Sequence, residues 1–309
     1  METGSTREYA GKKILELGAT VPNLCVVGAD LNKSTFTNLF AEKYPDRFFD
    51  VGIAEQNMVS IAAGLASSGK IPIVSTFAVF GSTRPMDQLR VGVSQPNLNV
   101  KVILTHAGLI TGEDGISAQS LEDISLFLSL HSFSVLVPSD AYEAQSAVEI
   151  AVNTDGPFYI RLSRPAIPIL NKEDIKLKHG GSSIMVEGSD ISILACGYMV
   201  HQAIEASKIL KEKHGISARV VNMYSLRPID TEMILNCASN SQFILTAEEH
   251  FKYGGLHSLV SQVVSQNNPI KVYSVSMENY AESGTPEELV KKYGLNFQSI
   301  VEKVLANFN

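Results

Sequence analysis

The sequence is poor in cysteine and has no excess of positive charge. It contains three cysteines, Cys25, Cys196 and Cys237, and its formal net charge is -7 at pH 7. There is no CxxC pair and no His/Cys cluster at metal spacing, which argues against a zinc site. An acidic chain without a block of Lys or Arg argues against a nucleic-acid binder. Because Cys25 and Cys196 lie inside apolar runs, we expect buried free thiols and a reducing, cytoplasmic setting.

Long apolar segments are also missing. A helix that crosses a bilayer needs about 20 consecutive apolar residues, and no run in this chain approaches that length. The first residues, METGSTREYAGKK, lack the apolar segment of a signal peptide. What is present is 309 residues with 45% hydrophobic content, which is typical of a globular protein with two domains. We therefore expect partners other than membranes and nucleic acids.

Apolar strand-like runs alternate with helical patterns along the chain. The runs are 23–29, 47–53, 70–77, 99–106, 132–138, 157–163, 190–196, 217–223, 242–248 and 270–275. Continuous apolar strands separated by helices indicate parallel sheets that are covered on both faces. The segment 164–183 breaks this rhythm with prolines, paired glycines and mixed charge. The predicted fold class is therefore α/β, with two consecutive domains of mostly parallel sheets at 1–168 and 186–309 and a linker at 169–185.

Polar and aromatic side chains follow the predicted strands of the first domain. In open α/β sheets, ligands bind outside the carboxyl ends of the strands, and these ends lie close together. Each residue taken singly has an ordinary structural explanation, but several strand ends share the pattern. The residues concerned are Asp30, Glu55, Phe77, Phe80, His106, Arg161 and Arg164. We expect them to share one edge of the domain.

Glu55 opens a helix that is otherwise made of small and apolar residues, EQNMVSIAAGLAS. Its spacing to Met58 and Ala62 places it on the apolar face. Two explanations stay open at this point. Glu55 is either a first-turn acid that complements the helix macrodipole or a carboxylate that meets a ligand or a partner.

A second polar cluster, EEHFKYGGLH at 248–257, contains two Glu and two His. The spacing of these residues matches no zinc pattern, and the paired glycines indicate a tight turn into a helix. We interpret this segment as structural or as part of an interface.

Several motifs, taken in order, resemble the transketolase family. VGIAEQNMVSIAAGLA, STFAVF, THAGLITGEDG and RLSRP resemble its pyrimidine-binding domain, and NMYSLRPID, TAEEHFKYGGLHS and ESGTPEELVKKYGL resemble its C-terminal domain. The resemblance covers essentially the whole chain. In the family, a GDG motif followed by an Asn holds the cofactor diphosphate through a metal ion, and this chain has no GDG. The resemblance therefore implies the C-terminal subunit of a split, two-chain transketolase.

The resemblance also implies an activity and an assembly. The activity is the thiamine-diphosphate-dependent transfer of a two-carbon ketol unit from a ketose phosphate to an aldose phosphate, as in the pentose phosphate pathway. A separate N-terminal subunit is expected to hold the diphosphate and Mg²⁺ or Ca²⁺, so no metal ligand is expected in this chain. The assembly implied is a core dimer of this chain within an α2β2 heterotetramer.

Four residues match positions that bind the cofactor in the family. Glu55 matches the catalytic Glu, which contacts N1′ of the aminopyrimidine and stabilises its imino tautomer. Phe80 and Phe77 match aromatic residues that pack on the pyrimidine ring. Asp30 matches an acid near the thiazolium ring.

Five further residues match positions that bind the substrate in the family. Arg7, Ser34, His106 and Arg164 match the group that holds the sugar phosphate, for which two Arg side chains are well suited. Asp114 matches the acid that contacts a substrate hydroxyl.

One position departs from the family pattern. Ala118 stands where the family usually has a His or Gln that contacts the substrate. An unusual ketose phosphate, branched or sulfonated, therefore stays open as the substrate. Two further functions also stay open for the chain: the β subunit of a 2-oxo acid dehydrogenase of the E1 type, and a non-catalytic interaction subunit.

Overall fold

Strands and helices alternate along nearly the whole chain. The structure is a computed structural model that describes residues 2–308. Its strands are β1 (Thr3–Gly4), β2 (Leu24–Gly28), β3 (Phe48–Asp50), β4 (Ile71–Ser75), β5 (Lys101–Leu104), β6 (Ser134–Leu136), β7 (Phe158–Arg161), β8 (Ile167–Pro168), β9 (Ser183–Val186), β10 (Ile191–Ala195), β11 (Ala218–Asn222), β12 (Ser225–Arg227), β13 (Ile244–Phe251) and β14 (Val272–Met277). Its α-helices are α1 (Thr6–Thr20), α2 (Asn32–Thr35), α3 (Asn38–Lys43), α4 (Glu55–Ser67), α5 (Ala78–Thr83), α6 (Met86–Gln88), α7 (Asp123–Ser129), α8 (Ala141–Asn153), α9 (Met199–His214), α10 (Thr231–Ser239), α11 (Leu256–Asn267), α12 (Pro286–Lys292) and α13 (Phe297–Leu305).

The first sheet has the strand order β12-β6-β7-β5-β4-β2-β3. All pairs from β6 to β3 are parallel, and every residue of β2, β5 and β7 is buried. Parallel strands of this kind are apolar throughout because helices cover both faces of the sheet. The edge strand β12 is antiparallel to β6, with Ser225 opposite Leu136. Since β12 follows β11 of the second sheet in the chain, the second half of the chain completes the first sheet.

The second sheet has the order β14-β13-β10-β11-β9. Its strands are parallel except for β9, which runs antiparallel to β11. Helix α9 packs on this sheet through a buried face and ends at Gly215, whose φ of +68° closes the helix in the left-handed conformation. The predicted fold class, two consecutive α/β units with mostly parallel sheets, is confirmed.

The segment between the two sheets lies against the first one. Strand β8 pairs with β1, with Thr3 opposite Pro168. The Asp140 carboxylate accepts the backbone N–H groups of Leu170 and Asn171, each at 2.8 Å. These bonds fix the course of the segment that the sequence marks as a linker.

The three cysteines are buried and free, which confirms the prediction for Cys25 and Cys196. Within residues 2–308, no helix combines the length and the apolar character needed to cross a membrane. Over the same residues, no group of three or more His, Cys, Asp or Glu side chains is arranged to hold a metal ion.

Candidate active site

Glu55 is the first residue of α4 and is only 4% exposed. It shares the buried face of this helix with Met58, Val59 and Ala62, so the predicted placement on the apolar face is confirmed. Arg84 Nη1 donates a hydrogen bond of 2.7 Å to Glu55 Oε1. The guanidinium provides the counter-charge that a carboxylate shielded from water requires.

Arg84 also covers an aromatic ring. Its Cζ atom lies 4.2 Å from the centroid of the Phe80 ring, which is within the range of a cation–π contact. An open cleft of about 660 Å³ borders Glu55 and Arg84. The cleft is lined by Ile53, Ala54, Glu55, Gln56, Asn57 and Arg84. The Arg84 guanidinium therefore lies over Phe80 and bonds to Glu55 at the N-terminus of α4.

Three rings stack at the ends of β4 and β5. The centroids of Phe77 and Phe80 are 5.8 Å apart with an interplanar angle of 14°, and Phe77 lies 3.6 Å from the His106 ring. His106 is 3% exposed, and its Nδ1 shares a 2.8 Å hydrogen bond with the Thr105 hydroxyl. Burial lowers the pKa of His106 to about 3, with a further contribution from nearby Arg charges. The imidazole is therefore neutral at neutral pH.

A second group of side chains surrounds two arginines. Arg7 Nη1 donates to the Ser34 carbonyl at 2.6 Å, and Arg7 Nε donates to the Arg164 carbonyl at 2.9 Å. Arg164 pairs with Glu113 at 2.7 Å and with Asp114 at 3.4 Å. Burial, followed by the charge of Arg164, lowers the pKa of Arg7. The structure thus brings together Arg7, Ser34, Asp114 and Arg164, with Ser34 contributing its carbonyl to this contact.

Asp30 follows β2 in the left-handed conformation, with φ of +67°. Its backbone N–H donates to Asp50 Oδ1 at 3.0 Å, and Asn32 Nδ2 donates to Asp50 Oδ2 at 2.6 Å. The residue is exposed. Asp50 therefore fixes the turn that presents Asp30 at the end of the strand.

Arg161 lies at the carboxyl end of β7, opposite Leu104 of β5, as the sequence predicts, but it is covered there by the second domain. Arg161 is buried, donates from Nε to Asp123 at 2.7 Å and donates from Nη2 to the Glu249 carbonyl at 2.9 Å. Tyr159 donates its hydroxyl proton to the same Asp123. The second domain covers the sheet edge at β7, so this guanidinium joins the two domains.

The segment 248–257 is structural, as interpreted from its spacing. Glu248 accepts the backbone N–H groups of Leu256 at 2.7 Å and His257 at 2.8 Å, which caps the N-terminus of α11. The neighbouring Glu249 accepts the Ile110 N–H of the first domain at 2.5 Å. Glu248 therefore bonds within its own domain, whereas Glu249 bonds across the interface between the domains.

Two family models match this chain over most of its length. The pyrimidine-binding domain of transketolase matches residues 2–169, and the C-terminal domain of transketolase matches residues 180–300. The chain belongs to the transketolase family. Of the enzyme families that the sequence left open, the matches are described as transketolase.

The chain aligns with nearly all of one relative and with about half of another. A Methanocaldococcus jannaschii protein named as a transketolase C-terminal section is 39% identical over 303 residues, covering 97% of this chain and 95% of that protein. Transketolase of Rattus norvegicus is 37% identical over 307 residues, covering 97% of this chain and 48% of the rat protein. The chain therefore spans about half the length of the rat transketolase and nearly all of the archaeal relative.

Solved structures agree with the fold. One described as a split gene transketolase, inactive beta4 tetramer, has a TM-score of 0.90 and 42% identity, and covers 98% of both chains. Transketolase from Campylobacter jejuni has a TM-score of 0.84 at 23% identity and covers 99% of this chain and 47% of that chain. The second similarity concerns the fold alone.

The departure from the transketolase pattern at Ala118 lies in a buried turn. Ala118 is 7% exposed, and its N–H donates to the Gly115 carbonyl at 3.0 Å. The next side chain, Gln119, turns towards the second domain, where its amide donates to the Glu282 carbonyl at 3.0 Å. The amide of Gln119 is therefore bonded to the second domain and is no simple replacement for the usual His or Gln.

Proposed function

We propose that this chain forms the pyrimidine-binding half of a thiamine-diphosphate-dependent transketolase that transfers a two-carbon ketol unit between sugar phosphates. The observation that carries this proposal is the buried Glu55, which Arg84 links to the Phe80 ring and its stacked neighbour Phe77. An aminopyrimidine needs a flat apolar surface and a carboxyl group that shares a proton with N1′. The contacts of Arg84 support the fit, because its planar guanidinium already donates to Glu55 and lies over Phe80.

The residues of this chain have separate roles in the proposed reaction. When bound, thiamine diphosphate supplies the carbon nucleophile for the ketose carbonyl. Glu55 holds the proton at N1′ in a site shielded from water, and Phe77 and Phe80 orient the ring. Asp30 is proposed to lie near the thiazolium ring.

The second group of side chains is proposed to bind the substrate. Arg7 and Arg164 bring two positive charges to the sugar phosphate, with the Ser34 segment beside them. Neutral His106 supplies a hydrogen-bond donor or acceptor, and Asp114 accepts a bond from a substrate hydroxyl. Ala118 favours a ketose other than the usual ones as a second candidate substrate.

We further propose a separate N-terminal subunit that holds the diphosphate with Mg²⁺ or Ca²⁺. The names of the archaeal C-terminal section and of the split gene transketolase support this arrangement. A core dimer of this chain, an α2β2 complex and a cytoplasmic place in the pentose phosphate pathway complete the proposal. The proposed domains remain 1–168 and 186–309, joined by a linker at 169–185.

The test is calorimetric titration of thiamine diphosphate and Mg²⁺ into the chain alone and into the chain with its diphosphate-binding partner. We expect tight binding only in the complex, together with ketol transfer between sugar phosphates. Glu55→Gln is expected to lower kcat on the order of 10²–10⁴-fold while the complex still assembles. Tight binding to the chain alone, or full turnover in Glu55→Gln, would contradict the proposal.

A further inference from the structure

Glu249 belongs to the second domain, but its carboxylate bonds to a loop of the first. The side chain is 3% exposed, and Oε1 accepts the Ile110 N–H at 2.5 Å. A backbone donor of the first domain is therefore bonded to an acid of the second domain.

The loop approaches Glu249 closely at Gly108. A Cβ atom at this position would lie 2.3 Å from the Glu249 Cδ and 2.5 Å from each carboxylate oxygen. The φ of Gly108 is +86°, which L side chains rarely adopt. Backbone and carboxylate are therefore in direct contact, with no room for a side chain between them.

The same loop connects the residues proposed to bind the sugar phosphate. Thr111 Oγ1 donates to the His106 carbonyl at 2.7 Å, and the Thr111 carbonyl accepts from Arg164 Nη1 at 3.2 Å. Glu113 and Asp114, at the far end of the loop, pair with Arg164. A shift of the loop backbone at residue 110 would therefore move the partners of both His106 and Arg164.

A second contact from the same domain reaches the end of the loop. The Ser283 hydroxyl donates to the Glu113 carbonyl at 2.7 Å from an exposed position. Meanwhile the Glu249 main chain is held by Arg161, which donates from Nη2 to its carbonyl at 2.9 Å. The backbone of Glu249 is thus held by Arg161 of the first domain, and its side chain holds the loop at Ile110.

We propose that Glu249 is a positioning residue, through which the second domain holds loop 107–115 in the geometry that binds the phosphorylated substrate. The substrate part of this inference rests on the proposed function. The loop anchoring rests on the contacts of Glu249 alone.

Glu248 provides a matched control. It is the preceding residue of the same strand, is 0% exposed and accepts two backbone N–H groups, which belong to α11 of its own domain. Replacing either acid by Gln keeps its shape and turns one acceptor oxygen into a donor that faces N–H groups. Both variants therefore disturb a bond to backbone N–H groups, and Glu249→Gln also removes the charge that lies 3.9 Å from Arg161 Nη1.

The experiment measures steady-state kinetics and hydrogen exchange in the complex with the diphosphate-binding partner. We expect Glu249→Gln to raise KM for the ketose phosphate about tenfold with kcat changed less than about threefold. Exchange at residues 107–115 should become about tenfold faster. Glu248→Gln should leave KM and this loop unchanged and speed exchange at the start of α11.

Ser283→Ala removes the other bond from the second domain to this loop. Because Ser283 is exposed, we expect this variant to fold. We expect a smaller rise in KM, about twofold to threefold, with faster exchange at the end of the loop. Equal KM values in Glu249→Gln and Glu248→Gln overturn the inference, and so does a faster loop exchange that leaves KM unchanged. If Glu249→Gln does not fold, an unchanged KM in Ser283→Ala overturns it.

Failure of the proposed function gives a different result. In that case the wild-type complex shows no ketol transfer between sugar phosphates. The exchange comparison then decides the anchoring: equal exchange of residues 107–115 in the Glu249 and Glu248 variants overturns it, and selective loosening in the Glu249 variant supports it.

Discussion

Arg84 and Glu55 form an ion pair with one buried and one half-exposed member. Nη1 lies 2.7 Å from Oε1, and the side chains are 45% and 4% exposed, respectively. Because the same guanidinium lies over Phe80, Arg84 occupies both surfaces proposed for the aminopyrimidine. If the cofactor ring binds as proposed, it displaces Arg84 from Glu55 and Phe80.

Arg84→Met is expected to destabilise the folded chain by about 1–2 kcal/mol. The change leaves the Glu55 carboxylate buried without its counter-charge, and the half-exposed position of Arg84 keeps the loss below that of a fully buried pair. The double variant Glu55→Gln with Arg84→Met should recover most of this loss, because no buried charge remains. Urea unfolding of the four proteins in the double-mutant cycle measures the coupling.

The exposed pair Arg90–Asp87 is the control for that cycle. Its atoms are 2.9 Å apart, but both side chains are more than half exposed, at 53% and 71%. Arg90→Met should cost less than about 0.5 kcal/mol. Equal losses in Arg84→Met and Arg90→Met would show that Glu55 does not depend on Arg84.

Glu113→Gln is expected to improve binding of the phosphorylated substrate. Glu113 pairs with Arg164 at 2.7 Å from a position that is 54% exposed, so a phosphate bound to Arg164 as proposed would displace this carboxylate. We expect KM to fall about twofold to fivefold, and less at high salt. Arg164→Lys should instead raise KM about tenfold or more, because Lys lacks the planar fork. A higher KM in Glu113→Gln would mean that the carboxylate assists binding.

His106 should make the chain less stable as the pH falls. Its pKa is lowered to about 3 in the folded chain by burial, whereas the unfolded value is near 6.5. The unfolded chain therefore binds the extra proton between these values, and stability is lost as the pH drops below about 6.5. Between about pH 7.5 and about pH 5, the expected loss from His106 is about 2 kcal/mol.

The comparison with His106→Gln isolates this effect. Glu143, Glu248 and Glu249 have pKa values raised to about 7 by burial, so they bind protons more readily in the folded chain and stabilise it as the pH falls from about 7 to about 4.5. Denaturant unfolding of both proteins at the two pH values cancels their contribution. An equal pH dependence in wild type and variant would show that folding does not lower the pKa of His106.

Ala118→Gln is expected to shift substrate preference towards ketose phosphates used by other members of the family. The new amide would provide the hydrogen bond that Ala118 cannot make, with KM for such substrates falling about threefold to tenfold. Ala118→Leu adds similar bulk without the amide and should raise KM for all substrates. Matching effects of Gln and Leu across a panel of ketoses would mean that space, and not hydrogen bonding, decides the preference.

The sequence predicts those features that depend on local pattern. Strands β2 to β7, β10, β11, β13 and β14 are found where apolar runs occur, because buried strands need continuous apolar residues. Strands β1, β8, β9 and β12 lie outside the predicted runs. Glu55 lies on the buried face because helical spacing places it there. The contact between Glu55 and Arg84 is different, since 29 positions separate the two residues. Such a pair leaves no periodic signal in the sequence. The best available hint is an arginine one helical turn after Phe80, in the run FGSTRP.

Contacts between the domains are the least predictable part. Arg161 is the last residue of β7, and His106 follows the end of β5. The two positions look alike in the sequence, which gives no sign that Arg161 bonds to the second domain. Its burial depends on how two sheets dock, which is set by the sum of many apolar contacts. The contact of Glu249 with the first domain is equally hard to predict. The preceding residue, Glu248, is also a glutamate in the same strand, but it bonds within its own domain.

The first sheet is complete only after strand β12 of the second half of the chain has been synthesised. Until residues 225–227 have left the ribosome, strand β6 has a row of unpaired backbone N–H and C=O groups along one side. A nascent first domain therefore waits with an open edge that another chain could pair with. Removing the second domain would remove this strand and leave the outer side of β6 unpaired in the finished first domain.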